Sequence, residues 1–148
     1  MDIQIDRMRC VDLQEQGTAL MEANGAETGM RELDIDWGFF RATEASGNLL
    51  IFGARVDEEL VGYVAGMFVA SHPQHRNWAM VQAEVLYVAP DFRGTGATDR
   101  LMAALSQAAR ALRASSILWG AKVGTGFEQV LDRRDRFRKF EVFYEQEL

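Results

Sequence analysis

One stretch decides the fold of this chain: residues 83–98 read AEVLYVAPDFRGTGAT. An apolar strand pattern runs up to Pro90, a glycine-containing turn follows, and a helical pattern with regularly spaced leucines begins near Asp99. The first backbone N–H groups of a helix have no carbonyl partners within that helix. The stretch therefore predicts a strand, an anion-binding turn and a helix, in that order.

The rest of the chain predicts an α/β fold in which helices flank a central mixed β-sheet. Strand patterns occupy 1–8, 49–56, 60–70, 78–88, 116–123 and 137–145. Helical patterns occupy 11–24, 34–47, 99–114 and 127–135. Because a helix connects the strands beginning at Trp78 and Ser116, we expect those two strands to be parallel.

Finer features of these elements are also predicted. Asn24-Gly25 should stop the first helix, which Gly17 weakens. Glycines inside strands, at positions 53, 62 and 66, indicate bulges or close backbone approach. Alternation along the fourth strand predicts Gln82, Glu84 and Leu86 on one face, and the other face is predicted to carry Val81, Ala83, Val85 and Tyr87.

Composition limits the function classes. At 148 residues and 48% hydrophobic, the chain suits a single domain spanning residues 1–148. A formal net charge of −6 argues against a general nucleic-acid-binding surface. One cysteine, Cys10, leaves no intrachain disulfide and no Cys/His zinc pattern, so no metal site is expected. Without a basic N-terminal region or a membrane-length apolar run, a soluble cytoplasmic protein is expected.

The glycine turn carries a family resemblance. Arg93-Gly94-Thr95-Gly96-Ala97-Thr98 resembles motif A of the GCN5-related N-acetyltransferase (GNAT) family, whose pattern is Arg/Gln-x-x-Gly-x-Gly/Ala. It lacks the third glycine of a Rossmann turn and the Gly-Lys-Ser/Thr of a Walker loop. Thr98 departs from the family pattern, and we interpret its hydroxyl as a further donor to phosphate.

The resemblance covers nearly the whole chain and implies acetyl-CoA as co-substrate. The pyrophosphate would lie over the N–H groups of Arg93, Gly94, Thr95, Gly96, Ala97 and Thr98, and the pantetheine arm would pair with backbone groups of Leu86, Tyr87 and Val88. The implied reaction is direct acetyl transfer to a primary amine on a small molecule or a protein. The compact overall pattern is similar to acetyltransferases of bacteriophages and prophages.

The resemblance also suggests catalytic residues. Glu84 lies four residues before the strand exit, where several family members carry a catalytic glutamate, and it is the candidate base. The family's helix tyrosine, which protonates the leaving thiolate, is absent, and Asp132 occupies the matching place. Among the phenols Tyr87 and Tyr144, we take Tyr144 as the candidate acid, although a thiolate can leave without one.

Acceptor contacts are expected from His72 and His75 in one loop and from Trp37 and Phe40 where the family places an acceptor-lining helix. Core packing for the aromatic residues and plain surface positions for the histidines are the competing interpretations. A basic cluster within residues 133–139 suits a contact with a 3′-phosphate, a contact with an acidic partner or a solvated helix end. A homodimer through the terminal strands is expected. Two rival functions remain, a catalytically silent binding module and an acyltransferase that uses longer acyl groups.

Overall fold

The computed structural model describes residues 1–29 and 31–148. Its strands are β1 (Gln4–Arg7), β2 (Leu49–Val56), β3 (Glu59–Val69), β4 (Met80–Val88) and β5 (Ser116–Trp119). Its α-helices are α1 (Cys10–Gln16), α2 (Thr18–Thr28), α3 (Trp37–Ala45), α4 (Ala97–Ala111) and α5 (Gly126–Asp132). Within the described ranges, no helix is long and apolar enough to cross a membrane.

The strands form one mixed sheet in the described part of the chain, in the order β1-β2-β3-β4-β5. The first four strands pair antiparallel to their neighbours, and β5 pairs parallel to β4. The parallel arrangement follows because α4 carries the chain back across the sheet between β4 and β5. The predicted mixed sheet with flanking helices is confirmed, as is its strand–helix–strand unit.

Two apolar cores lie on opposite faces of the sheet. On one face, α4 packs its leucines Leu101 and Leu105, both fully buried, against β2, β3 and β4. On the other face, α1, α2 and α3 cover a cluster that includes Cys10, Leu13 and Ile51. Burial of apolar area on both faces is the main stabilising contribution to the fold, at about 25 cal/mol per Å².

The first helical region differs from the sequence prediction, because it forms two helices that meet at Gly17. The N–H of Gly17 donates to the carbonyl of Leu13 at 2.8 Å, and a side chain at this position would lie 2.6 Å from the side chain of Leu13. Gly17 therefore ends α1 and starts α2. The predicted stop at Asn24-Gly25 is wrong, since α2 continues to Thr28 and ends at Gly29 in the left-handed conformation (φ 64°).

A β-bulge divides β4. Ala65 on β3 pairs with Val85 while Gly66 pairs with Ala83, so Glu84 is the additional residue on β4. The bulge reverses the alternation of side chains. Val81 and Ala83 face α4, whereas Val85 and Tyr87 face the opposite core. The predicted common face for these four residues is therefore wrong, as is the grouping of Leu86 with Gln82 and Glu84, because Leu86 packs on the α4 side.

The terminal strand predicted at 137–145 is absent. Residues 133–148, all of which the structure describes, form no helix or strand. Phe143 and Tyr144 are 87% and 92% exposed. The alternating pattern of this segment is real, but a strand also requires a neighbouring backbone to pair with, and this segment has no ladder partner among the described residues.

Gly62 marks the close approach of β3 to β4 that the sequence predicted. A Cβ atom at this position would lie 2.9 Å from the carbonyl oxygen of Tyr87 and 3.2 Å from the Cα of Val88. Both contacts are with backbone, which cannot yield without moving β4. We expect Gly62→Ala to lower the free energy of unfolding by about 1–3 kcal/mol in denaturant titration.

The matched control is Gly126→Ala, because a Cβ atom there meets nothing within 4 Å. It should leave the free energy of unfolding unchanged or raise it slightly. Equal stability of the two variants would contradict a tight β3–β4 approach.

Candidate active site

The glycine turn joins β4 to α4 through a short 3₁₀ turn at Pro90–Phe92. Gly94 and Gly96 adopt positive φ angles of 75° and 89°, which residues with a Cβ rarely adopt. The first helical hydrogen bond of α4 runs from the N–H of Arg100 to the carbonyl of Gly96 at 3.0 Å. The two glycines therefore allow the chain to enter α4 with its first backbone N–H groups uncovered.

These N–H groups form an anion-binding surface. The backbone N–H groups of residues 94–99 donate to no acceptor within the described parts of the chain. A Cβ atom at Gly94 or Gly96 would meet nothing within 4 Å, so the surface is open. Free N–H groups at the start of a fifteen-residue helix fit a phosphate group. Arg93 does not belong to the set, because its N–H donates to the carbonyl of Pro90.

An opening between β4 and β5 leads away from this loop. The parallel pairing extends from Met80 opposite Ser116 to Ala83 opposite Trp119, and then it ends. Beyond Ala83, β4 continues to Val88, and among the described residues this part pairs with β3 alone. Backbone groups of Leu86 and Tyr87 therefore lie in the segment available to an extended ligand arm, whereas the carbonyl of Val88 already accepts from the Nε of Arg93 at 3.0 Å.

Glu84 lies at the junction of the bulge and this opening. The residue is exposed by surface area, yet the protein around its carboxyl group partly excludes water, and this desolvation raises the pKa of Glu84 above its ordinary value. A carboxylate with a raised pKa is a better proton acceptor than an ordinary surface glutamate. The structure thus places the candidate base where the two strands separate.

An ionic network that the sequence did not reveal lies beside the loop. Arg93 binds both carboxylate oxygens of Glu27 on α2, each at 2.7 Å. The hydroxyl of Tyr87 donates to the same carboxylate at 3.2 Å, and the guanidinium lies 5.5 Å from the centre of the Tyr87 ring. Hydrogen bonding from Arg93 is the main reason that the pKa of Glu27 is lowered.

Neighbouring phenols complete this network. Tyr63 on β3 lies opposite Tyr87 on β4, and Asn24 of α2 lies near its hydroxyl. Burial raises the pKa of Tyr63 to about 12. The spacing of Asn24 and Glu27, which places them on one face of a helix, was the available sequence signal. That signal has no meaning until the two tyrosines are known to be neighbours.

Tyr144, the candidate acid, is not enclosed by the protein. It is 92% exposed in the irregular C-terminal segment. Asp132, at the family's tyrosine position, pairs with Lys139 at 3.5 Å. Tyr87 is 5% exposed and its hydroxyl is bonded to Glu27. None of the three is positioned by a described contact with Glu84.

His72 and His75 belong to the loop before β4, at the opposite end of that strand from the glycine turn. Their rings stack at 5.2 Å, and His72 lies 5.2 Å from the Trp78 ring. A strand advances about 3.3 Å per residue, so the start of β4 at Met80 is about 13 Å along the strand from Glu84. The described residues contain no group of three or more side chains arranged to hold a metal ion.

Trp37 and Phe40 lie on α3, which begins where Asp36 caps the N–H of Phe39 at 2.9 Å. Both rings are half-buried against the core beneath α1 to α3, and they lie 6.4 Å apart. They share that core cluster with Val85, the residue after Glu84. The structure thus makes them core residues whose outer edges remain accessible.

The basic cluster at 133–139 contacts the first turn of α4. Arg134 forms an ion pair with Asp99, in the first turn of α4. This pair offsets a negative charge that would otherwise oppose an anion at the helix start. Lys139 is engaged with Asp132 instead.

The mixed sheet carries a strand–turn–helix unit with free N–H groups and an opening between two parallel strands. This arrangement fits a phosphate-bearing ligand at the end of the sheet. The model of the acetyltransferase (GNAT) family matches residues 13–126. The chain belongs to this family. No curated protein matches the sequence at a significant level.

Solved structures with the same fold include an aminoglycoside acetyltransferase from an uncultured soil metagenomic sample, in complex with sisomicin. It is 16% identical, has a TM-score of 0.75, and the match covers 99% of this chain and 96% of that one. A ribosomal-protein-alanine N-acetyltransferase from Brucella melitensis is 20% identical with a TM-score of 0.72, covering 99% of each chain. A Clostridium acetobutylicum protein, described as a predicted acetyltransferase with acetyl-CoA, is 14% identical with a TM-score of 0.75, covering 99% and 96%.

Proposed function

We propose that this protein transfers the acetyl group of acetyl-CoA directly to a primary amine, with Glu84 as the general base. One observation carries the proposal: β4 presents a continuous path from the free N–H groups of the glycine turn to the bulge at Glu84. That path has a phosphate-binding end, an unpaired backbone edge and a proton acceptor. These are the groups that an extended thioester with a phosphate-bearing tail requires.

In this proposal the protein supplies binding, orientation and one proton acceptor. The N–H groups of residues 94–98 and the positive end of α4 hold the pyrophosphate. The β4 edge near Leu86 and Tyr87 aligns the arm, and an N–H group of the bulge hydrogen-bonds to the thioester carbonyl, where negative charge develops. The amine nitrogen forms the new bond to the carbonyl carbon as the C–S bond breaks.

Glu84 receives the proton that the amine loses, directly or through a water molecule. The departing sulfur can take a proton from solvent, since a thiolate is a competent leaving group. We therefore do not assign the role of general acid to Tyr144, whose 92% exposure gives that role no support. The proposal needs one ionisable residue at the bulge.

The acceptor side lies toward α3 in this proposal. The accessible edges of Trp37 and Phe40 suit an acceptor with apolar surface, and the net charge of −6 favours approach of a cationic amine. Aminoglycoside and ribosomal-protein acetyltransferases share this fold. Their sequence identities of 16% and 20% support a likeness in fold alone. Both small-molecule and protein amines are therefore proposed classes, with His72 and His75 able to contact only a long acceptor.

The first prediction concerns the affinity for acetyl-CoA and the contribution of the Thr98 hydroxyl to it. We expect calorimetry to show binding to the parent protein. Thr98→Val preserves the side-chain shape and removes the hydroxyl, so it should weaken the affinity about tenfold or more, as loss of one hydrogen bond to a charged group predicts.

Thr18→Val, on the exposed first turn of α2, is the matched control and should bind like the parent. Equal affinity for Thr98→Val would show that the hydroxyl makes no phosphate contact. If the parent shows no binding at millimolar acetyl-CoA, the enzyme proposal fails and a catalytically silent module takes its place.

Glu84→Gln should reduce kcat/KM about 100-fold or more, measured as thiol release in a screen of polyamines, amino acids and lysine peptides. A base must be deprotonated, and the pKa of Glu84 is raised. The parent rate should therefore increase with pH through a range above the ordinary glutamate pKa of about 4.3, and the variant should lack that rise. Glu59→Gln, at an exposed strand start, should match the parent.

Stability gives an independent check on the same variant. A raised carboxyl pKa means that ionised Glu84 disfavours the folded state at neutral pH, so Glu84→Gln should be no less stable than the parent there. A large loss of stability together with lost activity would point to a structural role for Glu84. Equal rates for variant and parent from pH 6 to 9 would exclude it as the base.

Acyl preference separates acetyl transfer from the longer-acyl alternative. Met67 and Val85 belong to the core cluster beneath α1 to α3, so β4 offers packed side chains on that side of the opening. We expect kcat/KM to fall as the acyl chain lengthens from acetyl to hexanoyl. A maximum at a longer chain would favour the alternative acyltransferase.

A further inference from the structure

Helix α2 attaches to the sheet through polar contacts as much as apolar ones. Met21 is its buried residue, whereas a surface helix normally presents a wide apolar stripe to its core. Its contacts with the sheet fall mainly on β4. The position of α2 must therefore depend on the polar groups at that contact.

Those polar groups meet a pair of buried phenols. Tyr63 and Tyr87 lie directly opposite each other on β3 and β4, at 2% and 5% exposure. Glu27 of α2 accepts a hydrogen bond from the Tyr87 hydroxyl at 3.2 Å, and Asn24 lies near the hydroxyl of Tyr63. A buried hydroxyl without a partner costs about 1–3 kcal/mol, so α2 is held where the Tyr87 hydroxyl finds its partner.

The carboxylate of Glu27 also reaches the glycine turn. It binds two nitrogens of Arg93, each at 2.7 Å. The third nitrogen, Nε, donates to the carbonyl of Val88 at 3.0 Å. Arg93 immediately precedes Gly94. One carboxylate therefore joins α2, the end of β4 and the start of the phosphate-binding loop.

We infer that Glu27 is a positioning residue that couples the phosphate-binding loop to α2 through its two-pronged ion pair with Arg93. The ligand in this inference, acetyl-CoA, rests on the proposed function, whereas the contacts of Glu27 do not. By reciprocity, a ligand that orders the loop also orders α2.

A competing role for Glu27 predicts the opposite change in anion affinity. If Glu27 acted only by cancelling the charge of Arg93 near an anion, its removal would strengthen anion binding. The geometry favours positioning, because Arg93 is turned toward α2 and its donors are engaged by Glu27 and Val88. An exposed ion pair is usually worth little, and two-point arginine–carboxylate geometry is the exception.

The first test measures acetyl-CoA affinity by calorimetry in Glu27→Gln, Arg93→Gln and the double variant. Each single variant should bind about three- to tenfold more weakly than the parent. The double variant should lose no more than either single one, since both remove the same interaction. Glu22→Gln, on an exposed position of the same helix, is the matched control and should bind like the parent.

The second test uses hydrogen exchange without any ligand. Arg93→Gln lies outside α2, yet it should speed amide exchange in residues 18–28 several-fold, as Glu27→Gln does. Exchange in α4 should not change, which separates loosening of α2 from general unfolding. Glu22→Gln should leave both helices at parent rates.

The two proposals fail in different ways. Unchanged α2 exchange in Arg93→Gln, or tighter acetyl-CoA binding by Glu27→Gln, would overturn the coupling. Absent acetyl-CoA binding by the parent, with faster α2 exchange in both variants, would overturn the proposed function and leave the coupling intact.

Discussion

The structure depends on how β4 shares its backbone between two neighbours. Up to Ala83 it pairs with β3 on one side and β5 on the other, and beyond that point it pairs with β3 alone. The additional residue of the bulge, Glu84, lies at this change. Backbone groups that lose a sheet partner in a protein interior need another partner. The separation of two parallel strands therefore creates an opening in which backbone groups of β4 are free to pair with a ligand or with water.

The electrostatic environment of the glycine turn differs from that of the protein as a whole. The protein is acidic as a whole, with a formal net charge of −6, and such a charge opposes anion binding. Two nearby carboxylates are each paired with an arginine: Glu27 with Arg93, and Asp99 with Arg134. These two ion pairs reduce the repulsion that the carboxylates would exert on an anion at the free N–H groups of α4.

Much of this architecture is readable from short-range patterns. The leucines of α4 recur at helical spacing, and the hairpin of β2 and β3 has a clear turn between two apolar runs. Gly94 and Gly96 mark the turn, and Glu84 is identified by its distance from the strand end. Each of these signals lies within about fifteen residues, where periodicity and turn chemistry act.

Most of the failures involve partners distant in the sequence. The helix break at Gly17 is an exception, because it involves Leu13, four residues earlier. Alternation along β4 cannot reveal that Glu84 is an additional residue, since a bulge is defined by the opposite strand. The segment 137–145 has a strand pattern but finds no strand to pair with among the described residues. Glu27 gains its role from Tyr87 and Arg93, which are 60 and 66 residues away.

By itself, then, the sequence determined the strand, turn and helix between Ala83 and Ala111 and the placement of a carboxylate beside them. Local backbone preferences and apolar periodicity are enough for that. Tertiary structure alone decided which N–H groups are free, where β4 and β5 part, and that Glu27 ties α2 to the loop. Those properties depend on hydrogen-bond partners brought together from separate elements, and no local pattern encodes them.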